Sequence, residues 1–176
     1  MTINDYQMTR ILVSILFLLT MACTGQSIPN LSPAVEPGVS QTLARARKQT
    51  ISRLAYALKF DIPAQKNQLI PATGTITFDW QKNASPVQLD FKEERAHLQR
   101  ISVNGTDIPI VFESEHLLIS TAFLKLGANT VIIQFTAGNL SLNRNDDYLY
   151  TLLVPDRART VFPCFDQPDL KASFQL

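Results

Sequence analysis

The residues of this 176-residue chain with types suited to chemistry are two histidines, two cysteines and a few short acidic groups. His97 and His116 lie far apart on different strand-like segments, with no HExxH and no histidine pair at i, i+4 to share a metal. Each reads as a surface or edge residue, and His116, within ESEHL (113–117), as a residue flanking a hairpin turn. There is no G-x-S-x-G nucleophile elbow and no phosphate loop. NRNDD (Asn143–Asp147) offers oxygens to a hard cation, but it lacks the glycine and the closing glutamate of an EF-hand loop. A polar loop with side-chain-to-backbone hydrogen bonds is the simpler reading. Asp156, Asp166 and Asp169 stand among prolines and read as turn or cap residues. By residue type and spacing alone the chain assembles no catalytic site and no metal site.

The cysteines speak about the ends of the chain instead. MTRILVSILFLLTMAC (8–23) has one positive residue, Arg10, and an apolar run from Ile11 to Leu19. That run is shorter than the roughly 20 residues a membrane-spanning helix needs, and it suits a secretory signal over residues 1–22. LTMAC resembles a bacterial lipobox, with Ala22 as the small residue before the cut, Cys23 as the lipid attachment site and Thr20 in a place usually held by leucine. The alternative is an ordinary signal cleaved near Ala22 or Gln26 that releases a soluble protein. Residues 23–42, with Pro29, Pro33, Pro37 and Gly38, read as a tether. Cys23 is committed to the leader, so Cys164 has no partner within the chain and reads as a small buried hydrophobe between Pro163 and Phe165. The localisation expected is the bacterial cell envelope, lipid-anchored and facing the periplasm or the exterior.

These segments lead into a body of period-two patterns. Apolar residues make up 45% and charged residues 18%, a globular mixture. The net charge of +1 gives no reason to expect a nucleic-acid partner. The basic run ARARK (44–48) lacks interleaved aromatics and reads as a solvated lead-in. TISRLAYALKFDI (50–62) places Leu54, Tyr56, Leu58, Phe60 and Ile62 on one side, and TGTITFDWQ (73–81) places Ile76, Phe78 and Trp80 likewise. Further strands are expected at 87–91, 98–103, 108–113, 116–120 and 130–139. Asn104-Gly105 marks a tight turn, since both residues tolerate positive φ; with Thr106 it also spells a glycosylation sequon, here read as the turn. FKEERAHLQ (91–99) is the nearest approach to a helix and has room for one turn. The fold expected is all-β, packed or saddle-shaped antiparallel sheets over residues 43–176.

The C-terminal stretch DDYLYTLLVPDRARTVFPCFDQPDLKASFQL (146–176) resembles the N-terminal domain of M1 zinc aminopeptidases, the aminopeptidase N-like enzymes. The matching residues are Arg159, Phe162, Pro163, Cys164, Phe165, Asp166, Gln167, Pro168, Lys171, Ala172 and Phe174, with Gln167 where glutamate is more usual. ISRLAYALKFDIP, ATGTITFDW and LKLGANTVIIQF are similar to that domain's first, second and late strands. The resemblance implies a β-sandwich or saddle that packs on a thermolysin-like domain in the complete enzyme. There, zinc activates a water to release N-terminal amino acids from peptides.

The family's G-x-M-E-N loop and HExxH helix lie downstream of such a domain and are not among these 176 residues. The resemblance therefore implies no cofactor in this chain, zinc in the complete enzyme, and a missing or separately encoded catalytic domain as partner. Many members carry glutamine or glutamate a few residues before the matched arginine, one of them contacting the substrate amine. Those positions hold Leu152 and Val154 here, so amine binding is not assigned to them. Tyr150, Arg159 and Asp166 are the candidates for the cleft wall and the domain interface. KASFQL reads as a strand just beginning, and the chain is expected to be truncated and inactive alone. The other reading is a stand-alone β-sandwich lipoprotein that binds a peptide, a glycan or a protein.

Overall fold

The computed structural model describes residues 32–81 and 85–176. Cys23, the signal segment and the first part of the expected tether lie outside them. The rest of that tether is part of the folded body. Pro33 is buried, its carbonyl accepts from Gln88 Nε2 at 3.4 Å, and the Glu36 carbonyl lies 2.9 Å from His116 Nε2. The described body thus includes residues 32–42, ahead of the expected boundary at 43.

Ser40 then caps a helix, α1 (Gln41–Thr50), its hydroxyl accepting from the Leu43 amide at 3.2 Å. Arg47 and Lys48 fall in the last turn, where cations complement the exposed carbonyls. The helix ends as Ile51 turns extended. ARARK is therefore helical, and Arg47 is buried at 3% exposure, which corrects its reading as a solvated lead-in. One face of α1 presents Leu43 and Arg47 to the body.

The strands are β1 (Ile51–Phe60), β2 (Pro71–Trp80), β3 (Val87–Asp90), β4 (Leu98–Val103), β5 (Thr106–Asp107), β6 (Val111–Glu113), β7 (His116–Ile119), β8 (Gly127–Thr136), β9 (Leu142–Arg144), β10 (Leu149–Thr151) and β11 (Ala172–Gln175). They form a six-stranded sheet in the order β11-β1-β2-β8-β4-β5, a three-stranded sheet β3-β7-β6 and the hairpin β10-β9. All pairings are antiparallel except β11 with β1, which is parallel, a departure from the purely antiparallel expectation. The expected single turn is present as a 3₁₀ turn at Arg95–His97.

Alternation places Leu54, Tyr56 and Leu58 of β1, Ile76, Phe78 and Trp80 of β2 and Val131, Ile133 and Phe135 of β8 in one core. Leu89, Leu117 and Ile119 reach the same core from the smaller sheet. Ile62 falls beyond the end of β1 and is exposed. Asn104 and Gly105 both have positive φ in the β4–β5 turn, as their sequence predicts. NRNDD spans the β9–β10 turn, where Asn145 Oδ1 accepts from the amides of Asp147 and Tyr148.

Candidate functional site

A carboxylate with no solvent exposure organises the C-terminal motif. Asp90 ends β3, a strand buried at all four residues. Arg47 grips it with two nitrogens, Nη1 to Oδ2 at 2.9 Å and Nη2 to Oδ1 at 2.5 Å, and Nη2 also donates to the Gln88 carbonyl at 2.8 Å. His116 Nδ1 lies 2.9 Å from Oδ1, and the Asp166 amide donates to Oδ2 at 2.8 Å. The backbones of Asp90 and Cys164 exchange hydrogen bonds of 2.7 and 3.0 Å. One side chain thereby joins α1, β7 and the FPCFDQP segment.

Burial alone would raise the Asp90 carboxyl; the His116 contact and the Arg47 charge and hydrogen bonds outweigh it and hold the group below the usual carboxylate range. His116 is accordingly a buried neighbour of that carboxylate, not the surface residue its position in the hairpin suggested. A buried charge persists only when it is paired in this way. The same network continues at Phe165, whose amide donates to the Tyr56 hydroxyl at 2.9 Å while the Arg47 guanidinium sits 5.3 Å from its ring centroid. Burial pushes the Cys164 thiol well up, so it stays protonated and unreactive.

Arg159 and Asp166 meet through backbone and side chain: the Arg159 amide donates to Asp166 Oδ2 at 3.1 Å. The Arg159 guanidinium reaches Glu115 Oε2 at 3.1 Å and Asp156 Oδ2 at 3.2 Å. Burial, together with the Asp90 and Asp156 charges, holds the Asp166 carboxyl above its usual range against the Arg159 amide bond and charge. Tyr150 is apart from this network. It lines an open groove of about 1150 Å³ walled by β1, the β9–β10 hairpin, Val161, Phe162 and the end of β11.

The groove runs along β1 beyond the β11 pairing: β11 pairs with Leu54 to Ala57, and Leu58, Lys59 and Phe60, paired with β2, line the groove. Its lining is mostly apolar, and Phe174 and Leu176 stay exposed beside it. Leu152 and Val154 point to solvent, at 53% and 77% exposure. Sequence reasoning missed Arg47, Asp90 and His116 as a unit; the buried aspartate in VQLDF was the available signal, but its partners lie far off along the chain.

Zinc has no fitting donor set here. Among the described residues no three His, Cys, Asp or Glu side chains converge as metal ligands. His116 and Asp90 are neighbours, but the third group on that carboxylate is the Arg47 cation.

The described residues form a mostly β body whose last motif is tied to its core through Asp90. No family model matches the chain. It is 29% identical over 153 residues to aminopeptidase N of Streptomyces lividans, covering 79% of this chain and 18% of that protein. The M1 zinc metallopeptidase of Deinococcus radiodurans superposes with a TM-score of 0.57 at 19% identity, over 72% of this chain and 31% of that one. Leukotriene A4 hydrolase from Saccharomyces cerevisiae gives 0.60 at 19% identity, over 72% of this chain and 23% of its own. These likenesses support an M1 aminopeptidase N-like N-terminal domain, and the chain spans under a third of each of the three.

Proposed function

We propose that this chain is the N-terminal β-domain of an exported M1-type zinc aminopeptidase and does not hydrolyse peptides by itself. In the complete enzyme the zinc domain removes N-terminal amino acids, and this domain supplies one wall of its cleft. The observation that carries the reading is the FPCFDQP segment, matched to the family in sequence and tied through Asp90 to the core. A wall fixed by buried hydrogen bonds can position a neighbouring domain without reorganising. Tyr150, Arg159 and Asp166 are the residues proposed to face that domain. Lipidation at Cys23 would hold the assembly at the envelope membrane, a reading supported by LTMAC and the apolar run before it.

The test is an aminoacyl-p-nitroanilide assay of the purified full chain, with and without added zinc. No hydrolysis is expected in either condition, and zinc-dependent turnover would overturn the domain-only reading. Reading the gene beyond codon 176 completes it: G-x-M-E-N and HExxH downstream support a split or longer enzyme. Unrelated sequence there would favour the self-standing binding module, for which the apolar groove is the available ligand site.

A further inference from the structure

Residues 32–50 form a strap across β3 and β7, and its one buried charge, Arg47, closes on one carboxylate. The Ser32 and Ser85 hydroxyls are 2.7 Å apart, Gln88 reaches the Pro33 carbonyl, and His116 Nε2 reaches the Glu36 carbonyl. Arg47 then enters the interior and closes on Asp90, and Gln167 Nε2 donates to the Ala44 carbonyl at 3.0 Å. The strap's apolar hold is small, with Leu43 its only aliphatic core residue. It makes no β-ladder with either sheet.

We propose that this strap is an acid-releasable latch: neutralising Asp90 frees residues 32–50 and loosens the FPCFDQP loop while both sheets stay folded. The charge balance gives the reason. Arg47 and His116 approach the same Oδ1, at 2.5 and 2.9 Å. Once that carboxylate is neutral, Arg47 is a buried cation beside an imidazole with no counter-charge, and the least costly relief is to swing α1 into water. The other titratable or charged groups facing Asp90 give it no substitute. Tyr56 has its phenol pushed well up by burial, the Cys164 thiol stays neutral, and Asp166 offers Asp90 its amide while its carboxylate accepts the Arg159 amide. Lys92, two residues after Asp90, pairs with Glu115 at 3.6 Å. The Asp166 amide loses its charged acceptor in the same event, so the latch reports from the membrane-proximal end of the body to the groove wall. That last consequence rests on the function proposed above; the latch itself does not.

Trp80 is the single tryptophan and lines, with Pro33, Leu43 and Arg47, a small cavity under the strap. The full chain is taken from pH 7 to about pH 2, beyond the ordinary carboxylate range because Asp90 is held below it, reading acrylamide quenching of Trp80 beside far-UV circular dichroism. The expected result is a severalfold rise in quenching at a pH where the strand signal is still intact, reversed on return to pH 7. Arg47→Met removes the buried cation, and its Trp80 signal should stay flat over the same range. A single transition seen by both probes, no Trp80 change before the strands melt, or an unaltered step in Arg47→Met would each overturn the proposal. Because the wild-type titration needs no variant, a misfolded Arg47→Met leaves it decisive.

Discussion

Around Asp90 every approach is polar, buried and directional; around Phe60 and Phe174 the surface is apolar, open and without a ladder on one side of β1. Both regions border FPCFDQP, within a few residues of each other. The buried carboxylate accepts from groups on α1 and the C-terminal loop and holds His116 of β7, so it selects one arrangement of parts that are distant in sequence. The groove selects nothing by itself, since apolar contact has no direction. A domain with both has an interior face that decides its shape and an outer face suited to cover by another apolar surface.

The sharpest way to break this contrast is Asp90→Ala. It leaves Arg47 buried and unpaired, and a loss of about 3–5 kcal/mol is expected in urea unfolding. Replacing both partners, Arg47→Met with Asp90→Leu, should recover much of that loss, because the cost lies in the uncompensated charge. The acid limb of stability tests the same group without mutation. The Asp90 carboxyl is lowered in the fold, so its contribution is full above the unfolded value and is lost as pH falls through the folded one. Asp166 is raised, so its ionisation opposes folding until pH falls through its folded value. Stability should therefore first rise slightly on acidification and then drop, and Asp166→Asn should remove the rise while leaving the drop.

A smaller effect is expected where the two regions touch. Gly138 follows β8, and its amide donates to the Val161 carbonyl at 3.1 Å. A Cβ there would meet the Thr160 carbonyl oxygen at 2.1 Å and Glu93 Oε1 at 2.2 Å. The first of these is backbone and cannot swing aside. Gly138→Ala should cost about 1–3 kcal/mol in thermal or chemical unfolding, the usual price of overpacking. A neutral result would mean the TVFPCFD turn is looser than its hydrogen bonds suggest.

The sheets were legible because strands with one buried face write their period into the sequence: Leu54-Tyr56-Leu58 and Ile76-Phe78-Trp80 are both read and found. Asn104-Gly105 was legible for a local reason, the positive φ its turn demands. The strap was not legible. Pro33, Pro37 and Gly38 look like a tether whether or not they dock, and Arg47 looks solvated until its partner is known. That partner sits in β3, where Val87 and Leu89 alternate with Gln88 and Asp90 as if one face were wet, although all four residues are buried. His116 announced its hairpin but not its burial, because nothing local distinguishes a turn-flanking histidine that points inward.

The mildest test compares one substitution on the two sides. Phe91 has no solvent exposure and meets Phe135 edge-on, with centroids 5.9 Å apart. Phe174 is 58% exposed and stacks on Tyr56 at 4.8 Å, their planes 13° apart. Phe91→Ala removes a fully packed ring and should cost about 3–5 kcal/mol. Phe174→Ala forfeits one stacked pair at a surface, about 0.5–1.5 kcal/mol. The isolated chain should also aggregate less with Phe174→Ala, since the change removes apolar area that water now covers. Equal losses at the two sites, by urea midpoint at constant slope, would mean that the groove is already closed in solution. A second copy of the chain would then be the first occupant to seek, by measuring mass at increasing concentration. A small loss with improved solubility would instead leave Phe174 where the geometry puts it, on an apolar face that contributes little to the fold of this chain and is available to whatever packs there.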